Sequence, residues 1–129
     1  MSDKKDKVTQ KWEQLELLDT DWKRYIECGD GWLDLIDRCL QELYDYKIAH
    51  NAKFKVQCIK EKFGGIRIHL SQFDDDLWAI IQKYEEEASR TCEDCGIVAD
   101  NVKVKTVNRG WLKCCCDDCK FIAEARYKS

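Results

Sequence analysis

The sequence predicts an α+β fold, with N-terminal helices packed on a β-hairpin and a C-terminal, zinc-ribbon-like four-cysteine module. Three observations carry this. Apolar residues recur at helical spacing from about residue 31 to 48 and again after residue 74. Between residues 53 and 70 the period falls to two, across a Gly64-Gly65 turn. Two CxxC pairs, Cys92/Cys95 and Cys116/Cys119, stand 20 residues apart near the C-terminal end.

The chain has 129 residues, enough for one domain with a modest core. We expect a single domain over residues 1–129, with a helical and hairpin body over 1–90 and the cysteine module over 91–129. There is no proline to mark a linker, and no internal repeat. No apolar run is long enough for a membrane span. The opening "MSDKKDKVTQ" has no apolar stretch of the secretory kind. The nine cysteines are odd in number and bunched, unlike a spread disulfide framework. Together these features predict a cytoplasmic metal-binding protein.

Taken in order, "VTQKWEQLELL" predicts the first helix. Asp19 or Thr20 then caps a short segment carrying Trp22, Tyr25 and Ile26. "CGDGW" breaks the chain, with Asp30 placed to cap the second long helix. That helix, over 31–48, carries one stripe of Trp32, Ile36, Cys39, Leu40 and Leu43. In the hairpin, Phe54, Val56 and Cys58 alternate with Lys53, Lys55 and Gln57. Across the turn, Ile66, Ile68 and Leu70 alternate with Arg67 and His69. The outer face would carry Lys53, Lys55, Arg67 and His69. "DDDLWAIIQKYEEEASR" is helical, with Leu77, Ile81, Tyr84 and Ala88 inward. Its three leading aspartates suit the positive end of the helix dipole. A second hairpin, "VKVKTV" and "GWLKC", turns at Asn108-Arg109-Gly110, and "DDCKFIAEARY" closes the chain as a helix.

A CxxC pair makes a tight turn whose two thiolates converge on one ion. The hairpin between the pairs brings both turns together, so Cys92, Cys95, Cys116 and Cys119 form a tetrahedral site. One structural zinc ion is the expected occupant, with iron the rival for the same ligands. Such a site offers no open position for substrate. Cys114 and Cys115 fall on alternating faces at a strand end, where cysteine packs as a small hydrophobe. A CxxxC pairing of Cys115 with Cys119 is sterically open. Cys28, Cys39 and Cys58 occupy apolar positions and are expected to pack.

No HExxH, GxSxG or P-loop pattern occurs. The PCxxC of zinc deaminases is excluded by the lack of proline. The two histidines, His50 and His69, lie outside the knuckles. The expectation is therefore no enzyme and no small-molecule substrate. Net charge is −3, which argues against a dedicated phosphate binder. Yet the charges segregate. Acids outnumber bases ten to three over residues 12–46, and bases outnumber acids five to one over 53–72. A basic face of Lys53, Lys55, Arg67, Lys103, Lys105 and Arg109 could bind nucleic acid. Most tryptophans should fill the core. Trp111, beside Gly110 at a hairpin tip, is the candidate contact residue for a partner.

"CGDGWLDLIDRC", "QCIKEKFGGIRIHL", "SRTCEDCG" and "GWLKCCCDDC" together resemble a group of small bacteriophage and prophage proteins. These share a CGDGW turn, a KEKFGG-type hairpin and a C-terminal four-cysteine zinc ribbon. The resemblance covers residues 28 to 119. It implies phage origin, a zinc ribbon and residence in the host cytoplasm, and it supplies no activity. Small phage proteins of this kind often bind host proteins, defence systems among them. A host protein is therefore the expected partner, with nucleic acid as the alternative.

Overall fold

The computed structural model describes residues 3–19, 26–108 and 110–127. It is an α+β protein. The elements run α1 (Asp3–Gln14), β1 (Ile26–Glu27), a 3-10 turn (Asp30–Trp32), α2 (Leu33–His50), β2 (Val56–Lys62), β3 (Gly65–Leu70) and α3 (Asp75–Ser89). The cysteine module adds β4 (Lys103–Asn108), β5 (Trp111–Cys115) and α4 (Asp117–Tyr127). Strands β1, β2 and β3 form one sheet with β2 central, and β4 and β5 form a separate hairpin. Buried residues from the helices, the sheet and the cysteine module form one continuous cluster.

The helices follow their apolar stripes. Trp32, Ile36, Cys39, Leu40 and Leu43 are buried along α2, and Leu77, Ile81, Tyr84 and Ala88 along α3. Asp74 caps α3, its carboxylate accepting the Leu77 N–H at 2.8 Å and the Tyr46 hydroxyl at 2.8 Å. Asp30 does not cap α2. The chain enters that helix through the 3-10 turn, with no side-chain cap on either element.

The first helix ends earlier than its apolar pattern suggests. Glu16 turns the chain at φ 60, and Leu17 and Leu18 continue in extended form. They bury completely against β2. The Val56 N–H donates to the Leu17 carbonyl at 2.9 Å, and the Asp19 N–H donates to the Val56 carbonyl at 2.9 Å. These bonds satisfy the edge of β2, which a longer helix would leave bare. Asp19 thus serves the sheet, and Ile26 lies in β1, parallel to β2 and opposite Ile59. The expected cap Thr20 and the side chains Trp22 and Tyr25 lie outside the described residues.

The hairpin departs from strict alternation. A bulge between Val56 and Cys58 resets the register. Beyond it Cys58 sits opposite His69 and Lys60 opposite Arg67, while Ile59 takes the core position opposite Ile68. The turn residues are Phe63 and Gly64, and Gly65 already belongs to β3.

The bulge makes a testable distinction. Ile59→Ala should cost about 2–5 kcal/mol as a buried cavity. Gln57→Ala, at the bulge, should cost about 0.5 kcal/mol or less. Urea denaturation midpoints of the two variants check this, and equal losses would contradict the register.

Candidate metal centre

The site is built from a knuckle, a hairpin and a helix. Helix α3 delivers the chain to Thr91, and residues 92–96 fold back on themselves. The Gly96 N–H donates to the Cys92 carbonyl at 2.9 Å, and the Cys92 N–H donates to the Ile97 carbonyl at 2.9 Å. Gly96 takes φ 82, which suits a residue without a Cβ. The β4–β5 hairpin then returns the chain, pairing Lys103 with Cys115. Cys116 follows β5, and Cys119 lies in the first turn of α4. The Cys119 N–H donates to the Cys116 sulfur at 3.4 Å. The Glu93 N–H donates to the Cys114 carbonyl at 3.0 Å and ties the first knuckle to the end of β5.

This folding brings together all four cysteines that the spacing predicts. The sulfurs of Cys92, Cys95, Cys116 and Cys119 lie within 4.8 Å of one another. Cys95 and Cys116 are 3.8 Å apart. Metal–sulfur bonds of about 2.3 Å place tetrahedral sulfurs about 3.8 Å apart, so the cluster fits one ion. Among the described residues these four form the one group with metal-ligand geometry.

Burial pushes the Cys92 thiol up, but the N–H groups of Cys95, Cys116 and Asp94 outweigh it and bring it down to about 7. Burial and contact with the other three sulfurs push Cys119 well up. The cluster is asymmetric. Cys92 and Cys116 are buried, Cys95 is exposed and Cys119 half-buried. The two outer sulfurs face a cleft of about 430 Å³ that Asp30, Lys113 and Ile122 also line. A four-thiol shell is complete in ligand number, but here it is not sealed from solvent.

The other cysteines stand apart. Cys114 and Cys115 are fully buried and outside the ligand group. The Cys114 thiol points at the carbonyls of Ala88, Ser89 and Thr91, at 3.5 to 3.6 Å. Burial pushes it up to about 11. Burial likewise pushes Cys28 and Cys39 up to about 12, as expected of packed thiols.

One feature of the site is invisible in the cysteine spacing. The CGDGW turn grips the first knuckle. The Gly31 N–H donates to the Glu93 carbonyl at 2.7 Å, and the Gly29 N–H to the Glu93 carboxylate at 2.8 Å. The Trp32 indole N–H donates to the Thr91 carbonyl at 2.8 Å in the core. A Cβ at Gly31 would lie 2.2 Å from the Cys92 carbonyl oxygen, so only glycine allows this approach. Glu93 is therefore buried, its carboxyl raised by desolvation, instead of adding surface charge to the knuckle. No local signal links residues 29–32 to a segment some sixty positions away.

The five described members of the basic set differ in their surroundings. Lys53 and Lys55 are exposed but precede β2. Arg67 lies 3.9 Å from Glu85. Lys105 is only 14% exposed and is pinned between Asp117 and the Asn101 carbonyl, at 2.7 Å each. Lys103 is exposed, and Arg109 lies outside the described residues. Trp111 is 41% exposed, and its ring lies 5.4 Å from the Lys113 ammonium. The acidic segment is also partly neutralised. Lys4 pairs with Asp34, Lys11 with Asp37 and Lys83 with Glu42, whereas Arg38, one of the segment's own bases, pairs with Glu87 outside it.

Compared with protein-family models, curated proteins and solved structures, the chain matches none. Among the described residues no helix is long and apolar enough to cross a membrane.

Cys116→Ser should lose the bound metal, whereas Cys115→Ser should keep one equivalent. Elemental analysis of the purified variants decides between the CxxC and CxxxC pairings. Metal displaces thiol protons, so affinity should rise with pH. Below about pH 7 the metal-free Cys92 also holds its proton, and the dependence should steepen. Chelator-competition titrations on both sides of neutrality measure this. Gly31→Ala should destabilise the fold by about 1–3 kcal/mol through its clash with the knuckle backbone, read as a lower urea midpoint.

Proposed function

We propose that this chain is a non-catalytic, phage-encoded interaction protein that binds a host protein, with inhibition of a defence system as the consequence. One structural zinc ion, held by Cys92, Cys95, Cys116 and Cys119, maintains the fold in the host cytoplasm. Zinc is the usual occupant of a four-thiolate structural site, and iron is the alternative that metal analysis would reveal.

One observation supports binding above all. Among the described phenylalanines and tryptophans, Trp12, Trp32 and Phe54 are buried, while Phe63, Phe73, Trp78, Trp111 and Phe121 are 41–74% exposed. A small domain short of core gains by burying its aromatics. Leaving more of them outside than inside fits a surface made for contact, because aromatic side chains dominate the energetics of protein interfaces. The resemblance to small phage proteins supplies the host as the source of the partner.

Nucleic-acid binding is the second reading, favoured by the exposed Lys53, Lys55 and Lys103. It is weakened by the net charge of −3 and by the pairing of Lys105 with Asp117.

The test is capture from host lysate by the tagged, metal-loaded chain, with and without nuclease. We expect one protein retained in near-stoichiometric amount after nuclease. Joint reversal of Lys53, Lys55 and Arg67 to Glu should leave that capture unchanged, and a chelator should abolish it. Recovery that vanishes with nuclease would establish the nucleic-acid reading instead.

A further inference from the structure

The β2–β3 hairpin carries a residue that local physics disfavours. Lys62 pairs with Gly65, so Phe63 and Gly64 form a two-residue turn. Both have positive φ, 54 for Phe63 and 82 for Gly64, as a type I′ turn requires. Asn or Gly suits the first of these positions, and a bulky aromatic there is strained. Such a cost is ordinarily offset by packing, but Phe63 is 70% exposed. The turn therefore holds an aromatic ring out of the fold at a cost in stability. Strain of this kind concentrates where a residue serves binding.

The surroundings of the ring define a surface. Gly64 lies directly on β4. A Cβ there would be 2.7 Å from Val104 Cγ1, and Val104 is itself 48% exposed. Phe63 and Val104 thus adjoin across the junction of the body and the cysteine module. The Glu61 carboxylate turns back onto the turn, accepting the Gly64 N–H at 2.7 Å, and its single charge leaves the two flanking lysines in excess. Lys62 places its ammonium 5.7 Å from the Phe63 ring centre, and Lys60 lies one pleat back, opposite Arg67. Among the described residues neither Lys60 nor Lys62 forms an ion pair.

We infer that the Phe63 tip, together with Val104, Lys60 and Lys62, is the docking element of this protein, and that it enters an apolar pocket rimmed by acidic side chains on a protein partner. Charge complementarity selects that rim, because the lysines beside the tip are unmatched within the chain. A second consequence concerns the metal. Val104 belongs to the hairpin between the two ligand pairs, so the docking surface is complete only when the four-cysteine site is formed. This assignment rests on the proposed function and specifies which surface performs it.

The experiment compares the full, metal-loaded chain with Phe63→Asn and with the double variant Lys60→Glu/Lys62→Glu. Thermal unfolding comes first. Phe63→Asn should raise the Tm, since Asn accepts the left-handed conformation; a lowered Tm would show that Phe63 stabilises the fold and would overturn the inference. The same proteins are then used to capture partners from nuclease-treated host lysate. We expect both variants to retain at least ~10-fold less of the protein held by the wild type. Undiminished capture by Phe63→Asn would remove this surface while leaving the host-protein reading intact. Loss of all capture by the wild type would sink both. Fluorescein-labelled single-stranded DNA provides the rival arm. Tight binding that Phe63→Asn abolishes would mean that the ring stacks on bases, and the acidic pocket would be discarded.

Discussion

Four sulfurs within 4.8 Å of one another cannot all be charged unless a cation sits among them. As thiols they contribute little, and as unscreened thiolates they repel. The C-terminal third of the chain depends on this constraint. A two-stranded hairpin such as β4–β5 is marginal alone in water. A four-thiolate metal site supplies apparent binding free energy on the order of 10 kcal/mol, which becomes folding free energy for the segment it closes. Residues 92–119 are the segment so closed.

The metal site is not an appendage. Its first knuckle is clamped by Gly29, Gly31 and Trp32, which lead directly into α2. The Cys114 thiol points at carbonyls at the end of α3, and Gly64 at the hairpin tip rests on Val104. Three separate parts of the body thus touch the module, and one buried cluster runs through both. Loss of the metal would be felt at the CGDGW turn and at the Phe63 tip.

Part of the charge is paired around this frame. The acids of α2 face lysines on α1 and α3, and Asp117 and Asp94 on the knuckles face Lys105 and Lys113. What the surface offers in quantity is aromatic area.

Periodicity and spacing alone determined the α+β class, the buried stripes of α2 and α3, the bounds of α4 and the four convergent cysteines. Each depends on residues close in sequence, or on ligand chemistry that allows few alternatives. Only the tertiary structure decided the rest. Leu17 and Leu18 left their helix because the edge of β2 needed backbone partners. The bulge after Val56 moved Ile59 into the core because the sheet, not the alternation, sets which face is buried. Lys105, expected on an open basic face, became the partner of Asp117 and the Asn101 carbonyl once the module folded. The clamp of residues 29–32 on residues 91–96 and the contact of Gly64 with Val104 join positions far apart in sequence. Local patterns do not encode such contacts, because their energy arises only when the chain has already folded.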